Sequence, residues 1–404
     1  MKPIKHNNQN DYNIELKKNV NRNYTFTFLQ TIDLTRGIWM IYLATKGMSL
    51  TQLGLLEMIF HITSFSMEVP TGAVADLYGR RTSRILGRAL SVLSVVILLF
   101  ADSFLWFAIS FIIVALSYNM ESGAGDALVY DSMKSIGIEN EYMRVGGNKE
   151  MVFQIANVFA FLLGGYLATQ SYQWAFGVTI VMGLVSFLYA FKFVEPKLGR
   201  VTERGHRGQN FVYQLKESYA ILKGHKRLGF LILFSQFVMS FTTTIFFYLQ
   251  NYMKADGFNE AFIGGVYAVS SLAGAILATQ VYKIEAVIKE KGILILMPII
   301  TAASTWGIAL SQFHYAFYIP ISLAEGMIFV ALGDYINKVI PSENRATILS
   351  MASMIFSFFM ITLFPLIGWL GDRYSLQGAF VFMAILGSFL TLINTIVISS
   401  RKVK

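Results

Sequence analysis

Gly72-Ala73-Val74-Ala75-Asp76-Leu77-Tyr78-Gly79-Arg80-Arg81, followed by Arg84, lies between two apolar runs near 50–71 and 83–101. A helix needs about 20 mostly apolar residues to cross a bilayer, so this stretch reads as the short polar turn between two membrane helices. Gly72 lets the first helix end or pack closely, and Gly79 permits a tight turn with positive φ. The arginines hold one side of the membrane and are placed to pair with Asp76 or with helix ends.

Outward from that turn the same window finds twelve spans. They lie near 24–45, 50–71, 83–101, 104–127, 151–168, 174–194, 228–250, 260–281, 292–311, 314–337, 347–369 and 377–399. Composition agrees: of 404 residues 55% are hydrophobic and 14% charged. Soluble domains carry about 25% charged residues, so there are too few charges here to clothe a soluble protein, and so apolar a chain cannot stay disordered. The absence of Cys excludes disulfide frameworks, thiolate zinc sites, iron–sulfur clusters and cysteine nucleophiles. The first 22 residues are polar, with Lys2, Lys5, Lys17, Lys18 and Arg22, and read as a solvated basic tail rather than a signal peptide.

With loops on alternating sides, nearly all of the 33 Lys and Arg fall on the side of the 72–81 turn. Only Lys46, Lys254 and Arg373 fall opposite, and Arg36 lies within the first span. The positive-inside rule then places both termini in the cytoplasm, with an even number of spans. The net charge of +9 becomes a topology signal and needs no nucleic-acid partner. The expected organisation is a cytoplasmic tail at 1–23, a six-helix half at 24–194, a basic linker at 195–227, a second half at 228–399 and a tail at 400–404. Within the linker, 210–224 has loose helical periodicity suited to the membrane surface. Asp131, Arg144, Gly165 and Ala175-Phe176 recur in order as Asp334, Arg345, Gly368 and Ala379-Phe380, the pattern of a six-helix repeat with substrate handled between copies.

Residues 72–81 match the G-x-x-x-D-[RK]-x-G-R-[RK] loop of the major facilitator superfamily, and Met67-Glu68-Val69-Pro70-Thr71 resembles its drug:proton antiporters. The resemblance covers nearly the whole chain. It implies an all-α integral membrane fold of twelve transmembrane helices in two pseudo-symmetric halves, without a cofactor. It also implies a cytoplasmic latch of Asp76 and Arg80 supported by Arg81. The gating set takes in Gly72 and Gly79 of the same loop and Asp131, which lies near the water boundary and is placed to interact with Arg80 or Arg144. Leu77 departs from the pattern, where the family usually has a basic residue. The helix-5 antiporter motif is reduced to Gly164-Gly165, while Phe364-Pro365 and Gly368 give helix 11 a similar kink.

A charge at the bilayer centre costs at least about 2.5–3.5 kcal/mol, which makes in-span ionisable residues functional candidates. Asp33 and Arg36 are three apart, neighbours on one helical face. Glu57, His61, Ser64 and Glu68 make a polar stripe, in which Glu57 and His61 form a pair able to exchange protons. Glu121 lies among Ser117, Ala124 and Gly125, with Asp126 on the opposite face. The proton-coupling set is therefore Asp33, Glu121, Glu57, His61 and Asp126. Arg36, Gln154, Asn157, Gln236, Ser240, Phe247 and Glu325 are the substrate-binding candidates, the helix-7 residues among them suiting a broad apolar pocket. No metal-ligand spacing and no hydrolase motif occurs. The expectation is a monomeric proton-coupled exporter of lipophilic, drug-like or cationic small molecules in a bacterial plasma membrane. Its alternative is an importer or uniporter of a nutrient or metabolite.

Overall fold

The structure, a computed structural model, describes residues 5–197, 224–339 and 345–400. Most of the linker, including nearly all of the 210–224 segment expected on the membrane surface, lies outside the described residues, as does the end of the C-terminal tail. The described chain is helical throughout: α1 (Lys5–Thr31), α2 (Trp39–Thr45), α3 (Leu50–Tyr78), α4 (Arg80–Phe100), α5 (Phe104–Ser135), α6 (Tyr142–Gln170), α7 (Tyr172–Ala190), α8 (Lys226–Ala255), α9 (Glu260–Ala278), α10 (Val281–Leu310), α11 (Tyr318–Val339), α12 (Arg345–Arg373) and α13 (Leu376–Ser399). No β-strand occurs among the described residues. Ten helical stretches, running from α4 to α13, are long and apolar enough to cross a membrane.

The first expected span is two helices rather than one. Residues 32–38 are non-helical, so Asp33 and Arg36 do not share a helical face. The cause is local competition for backbone donors. Asp33 Oδ1 accepts from Thr35 N at 2.9 Å and from Thr35 Oγ1 at 2.6 Å, a turn that displaces the helical bonds. Leu34 N, freed by the break, donates to Thr179 Oγ1 at 3.0 Å. Arg36 O accepts from Gln250 Nε2 at 3.3 Å. Inside a membrane irregular backbone persists only where protein groups or a cavity satisfy it, and side chains do so here.

The tail expected to be solvated is also different. It is helical from Lys5 and continuous with the span through Thr31, with Leu16 and Asn19 fully buried. Asn19 pairs both ways with the backbone of Val194, donating at 2.8 Å and accepting at 3.1 Å, and also donates to Ser132 Oγ at 2.9 Å. Glu15, on the exposed side, is held below the usual carboxylate range by hydrogen bonds from Lys18 and Arg22.

By contacts the chain divides into two compact units, the described residues of Met1–Thr35, Ile62–Ala160 and Ser171–Gly208, and those of Arg36–His61, Phe161–Gln170 and Gln209–Lys404. In the first unit α4 and α5 pack through small residues. Ser117 Oγ donates to Gly87 O at 2.8 Å, and Ser94 and Ser110 bond to each other's carbonyls. Such residues let membrane helices approach closely. In the second unit a core of Leu228, Ile232, Met297, Ile328 and Leu332 joins α8, α10 and α11. The same unit holds close backbone approaches at glycine. A Cβ on Gly368 would lie 2.3 Å from Leu50 O, on Gly54 2.7 Å from Pro365 Cα, on Gly165 2.4 Å from Glu260 O, and on Gly264 2.2 Å from Phe161 O. These contacts explain why segments 36–61 and 161–170 group with the C-terminal helices.

Candidate functional site

The 72–81 loop closes on an acid that the sequence reading did not include, Glu195. Gly79 has φ +98°, and a side chain there would meet the Glu195 carboxylate at 3.0 Å. Glu195 caps the start of α4, accepting from Arg80 N at 2.9 Å and Arg81 N at 2.8 Å. A carboxylate at a helix N-terminus satisfies orphan donors and the helix dipole together. The Arg80 side chain bonds Asp131 and the Ala127 carbonyl, and Arg81 reaches Phe191 O at 2.8 Å. Asp76, Gly72 and Arg144 are exposed. Of the expected gating residues, the structure thus joins Arg80 to Asp131. The signal for Glu195 was present in the sequence as an acid directly before Pro196, just past the end of α7.

Two basic residues assigned to the cytoplasmic edge are interior. Arg84 is 1% exposed and lies between the rings of Phe26 and Phe193, at 4.2 and 4.5 Å from their centroids. It donates through Nη2 to Glu121 Oε1 at 2.8 Å, through Nε to Oε2 at 3.2 Å, and through Nη1 to Asn23 at 3.1 Å. Glu121 is thereby held in a two-point ion pair, a geometry that fixes position and charge at once. Arg88 donates to Ser186 Oγ at 3.0 Å and lies within electrostatic reach of Glu121 and Asp33. Asp126 forms a surface pair with Lys149 at 2.5 Å, both side chains at least a third exposed, rather than facing an interior cavity.

In the second unit Glu57 and His61 are both buried, with Nε2 of the ring 3.7 Å from the carboxylate and Nδ1 3.3 Å from Ser357 Oγ. Further along α3, in the first unit, Ser64 pairs reciprocally with Asn119, at 2.7 Å in both directions.

Glu325 on α11 sits beside the Thr242 hydroxyl of α8, with Arg36 and Tyr318 within electrostatic range. From Tyr318 the aromatic rings run on contiguously. Tyr318 and Tyr267 have centroids 5.2 Å apart, Tyr267 and Phe246 4.6 Å, Phe246 and Phe247 4.8 Å, and Phe247 and Trp39 5.4 Å. Tyr267 is fixed by a 2.6 Å bond from its hydroxyl to Phe246 O. The structure therefore brings together Glu325 and Arg36 of the substrate-binding candidates, with Phe247 three rings along the aromatic run from Tyr318. Ser240 is fully buried, its hydroxyl turned back onto Phe237 O of its own helix at 2.8 Å. Gln236 donates to its neighbour Ser235, Gln154 to Glu150 on α6, and Asn157 is buried on α6. Thr242 was missed because nothing in one helix's periodicity says which residues face Glu325 from another helix, whereas Tyr318, seven residues before Glu325 on α11, was legible from helical spacing.

The comparisons with known proteins agree with this architecture. A Bacillus subtilis (strain 168) protein, described as the uncharacterized MFS-type transporter YxaM, is 25% identical over 380 residues, covering 90% of this chain and 92% of its own. Among solved structures, a point mutant of the nucleoside transporter NupG superposes with a TM-score of 0.76 at 13% identity, over 95% of this chain and 98% of that one. A D-xylose-proton symporter gives 0.69 at 13% identity, over 95% and 97%. A bacterial homologue of the human lysosomal transporter Spinster, inward-facing and unoccupied, gives 0.67 at 15% identity, over 96% of both chains. The model of the Major Facilitator Superfamily matches residues 25–313. With an all-helical membrane fold, a broken first helix and charges held inside the spans, the chain belongs to the major facilitator superfamily and is a transport protein, not an enzyme.

Proposed function

We propose that this transporter exports lipophilic, aromatic cations in exchange for protons. The observation that carries the reading is Glu325, an acid on a membrane helix within electrostatic range of Tyr318, whose ring continues into Tyr267 and Phe246. Aromatic faces attract organic cations by about 0.5–2 kcal/mol each according to desolvation, and a carboxylate supplies the charge that an apolar wall lacks. Arg36 is the resident counter-charge, and its side chain is exposed, so an incoming cation competes with it for Glu325. Asp33 is the proton carrier in this reading. It lies on the same unwound segment as Arg36, three residues away, which links the two charges through one stretch of irregular backbone. Glu121 is left as a structural partner of Arg84. Export follows the antiporter-like 67–81 sequence, and the same reading keeps both termini cytoplasmic and the protein a monomer in a bacterial plasma membrane.

Binding of tetraphenylphosphonium to purified protein, followed by calorimetry, tests the site. Wild type binds, and Glu325→Gln weakens binding by about 10- to 100-fold, the 1.5–3 kcal/mol of a charge-assisted contact. Equal affinity in both proteins removes Glu325 from the site. A second reading, import or uniport of a nutrient or metabolite, draws on the reduced helix-5 motif, where Ala156, Ala160 and Phe161 replace the family's residues. The fold neighbours include a nucleoside transporter and a D-xylose-proton symporter. Uptake of radiolabelled nucleosides and pentoses into cells, at rates above those of a deletion strain, would favour it.

A further inference from the structure

The first two turns of α10 exceed what its span requires. At about 1.5 Å per residue, 292–310 covers about 28 Å, close to the ~30 Å of a hydrocarbon core. The preceding helix α9 is of similar length and ends at Ala278. Residues 279–291 therefore form a connector at one bilayer surface. Within it 281–288 is helical, set off from the span by a kink at Lys289, with φ +63° and ψ 173°. Glycine adopts that backbone readily and lysine rarely, so surrounding contacts must hold it. Val281, Ile284 and Ile288 supply them by packing on the core of α8, α10 and α11. The opposite face carries Tyr282, Lys283, Ala286 and Val287, all exposed, with Tyr282 at 66% and Val287 at 79%. Residues four apart share a helical face, so these four make one continuous strip. Lys283 Nζ lies 5.7 Å from the centroid of the Tyr282 ring. Lys289 and Lys291 follow directly and are exposed. The acids of the stretch are engaged elsewhere: Glu290 pairs with Arg227 at 2.7 Å, and Glu285 lies within electrostatic reach of Tyr335.

We propose that this strip docks on the bilayer surface and selects anionic phospholipid, with Tyr282, Ala286 and Val287 among the headgroups and Lys283, Lys289 and Lys291 on their phosphates. Charge complementarity decides the occupant. An interfacial helix is held by its apolar side chains and by the attraction of its basic residues to anionic lipid, about a fivefold gain for each lysine near the surface. Scale points the same way. A stable protein interface takes about 20–30 residues a side, far more than this strip presents, whereas the bilayer lies at the end of the span that the strip adjoins. Docking covers Val287 and Tyr282, which water alone would leave bare. The inference is independent of substrate and of proton exchange.

Val287→Cys places a single thiol in a chain without cysteine, and a nitrobenzoxadiazole probe on it reports the docking. The labelled full-length protein is placed in nanodiscs of phosphatidylcholine alone or mixed with phosphatidylglycerol. Both leaflets are alike, so the orientation of the chain does not enter. In the mixed discs the probe is quenched by lipid carrying a shallow nitroxide, and its access to aqueous acrylamide falls by about 5-fold or more relative to phosphatidylcholine. Molar salt abolishes the difference by screening. The triple variant Lys283→Gln/Lys289→Gln/Lys291→Gln abolishes it without salt, and the comparison of lipids in protein that keeps its lysines decides the matter if that variant does not fold. Equal acrylamide access in both discs overturns the proposal. So does a probe shielded in both with no nitroxide quenching, the mark of cover by another part of the chain or a second copy. Nitroxide quenching that ignores phosphatidylglycerol and the lysines overturns it too, since it leaves an apolar contact without lipid selection.

Discussion

Arg84→Ala destabilises the protein by about 3–5 kcal/mol, the cost of breaking a buried ion pair by removing one partner. The Arg84 side chain is 2% exposed and that of Glu121 19%, so the abandoned carboxylate cannot hydrate fully. The same substitution removes the cation between the Phe26 and Phe193 rings and the bond to Asn23. It therefore loosens α1 and the segment after α7 together. The double variant Arg84→Leu/Glu121→Leu regains much of the loss, because replacing both partners by apolar groups leaves no unpaired charge. Thermal melting in detergent measures both. An Arg84→Ala protein that melts with wild type would show that this pair is a membrane-edge anchor after all.

The second large effect lies at α3 and α12. Asp372 caps the first turn of α3, accepting from Leu50 N at 3.0 Å, Thr51 N at 2.7 Å and Thr51 Oγ1 at 2.6 Å. Asp372 is exposed, so the cap sits at the watery end of the two helices. One turn earlier Gly368 meets Leu50 O, and Tyr248 donates to Phe364 O at 2.8 Å beside it. Gly368→Val places a branched side chain where 2.3 Å is available. Overpacking of this kind costs about 1–3 kcal/mol, enough to shift a two-state equilibrium by roughly 5- to 150-fold. The expected result is loss of transport together with faster maleimide labelling of a Gln52→Cys reporter, in a chain that has no other cysteine. Unchanged transport and labelling would show that α3 and α12 need no close approach.

Gly368-Trp369-Leu370-Gly371-Asp372-Arg373 repeats the G-x-x-x-D spacing of Gly72–Asp76. The sequence thus carried this second acid-bearing helix end, although only the contact with α3 gives it meaning. Much of the fold was readable for a similar reason. Apolar length marks a membrane helix whatever it packs against, and ten of the expected spans are long and apolar enough in the structure. The break at 32–38 was not readable, since it arises from a side-chain turn at Asp33 and from Thr179 on another helix. Charge counting likewise grouped Arg84 and Arg88 with Arg80, because a sum over a loop ignores depth. The acids on the candidate list were legible as expensive residues, but their partners were not. Arg84 for Glu121, Lys149 for Asp126 and Thr242 for Glu325 all come from tertiary packing.

Proton exchange is the central claim, and proteoliposomes enclosing a pH-sensitive dye test it most directly. With purified protein in the bilayer, an outward gradient of tetraphenylphosphonium drives proton movement in the opposite direction. Asp33→Asn abolishes that movement, while Glu121→Gln, once corrected for the amount of folded protein, retains it. Cation flux without any proton movement, or proton movement that survives Asp33→Asn, would contradict the account.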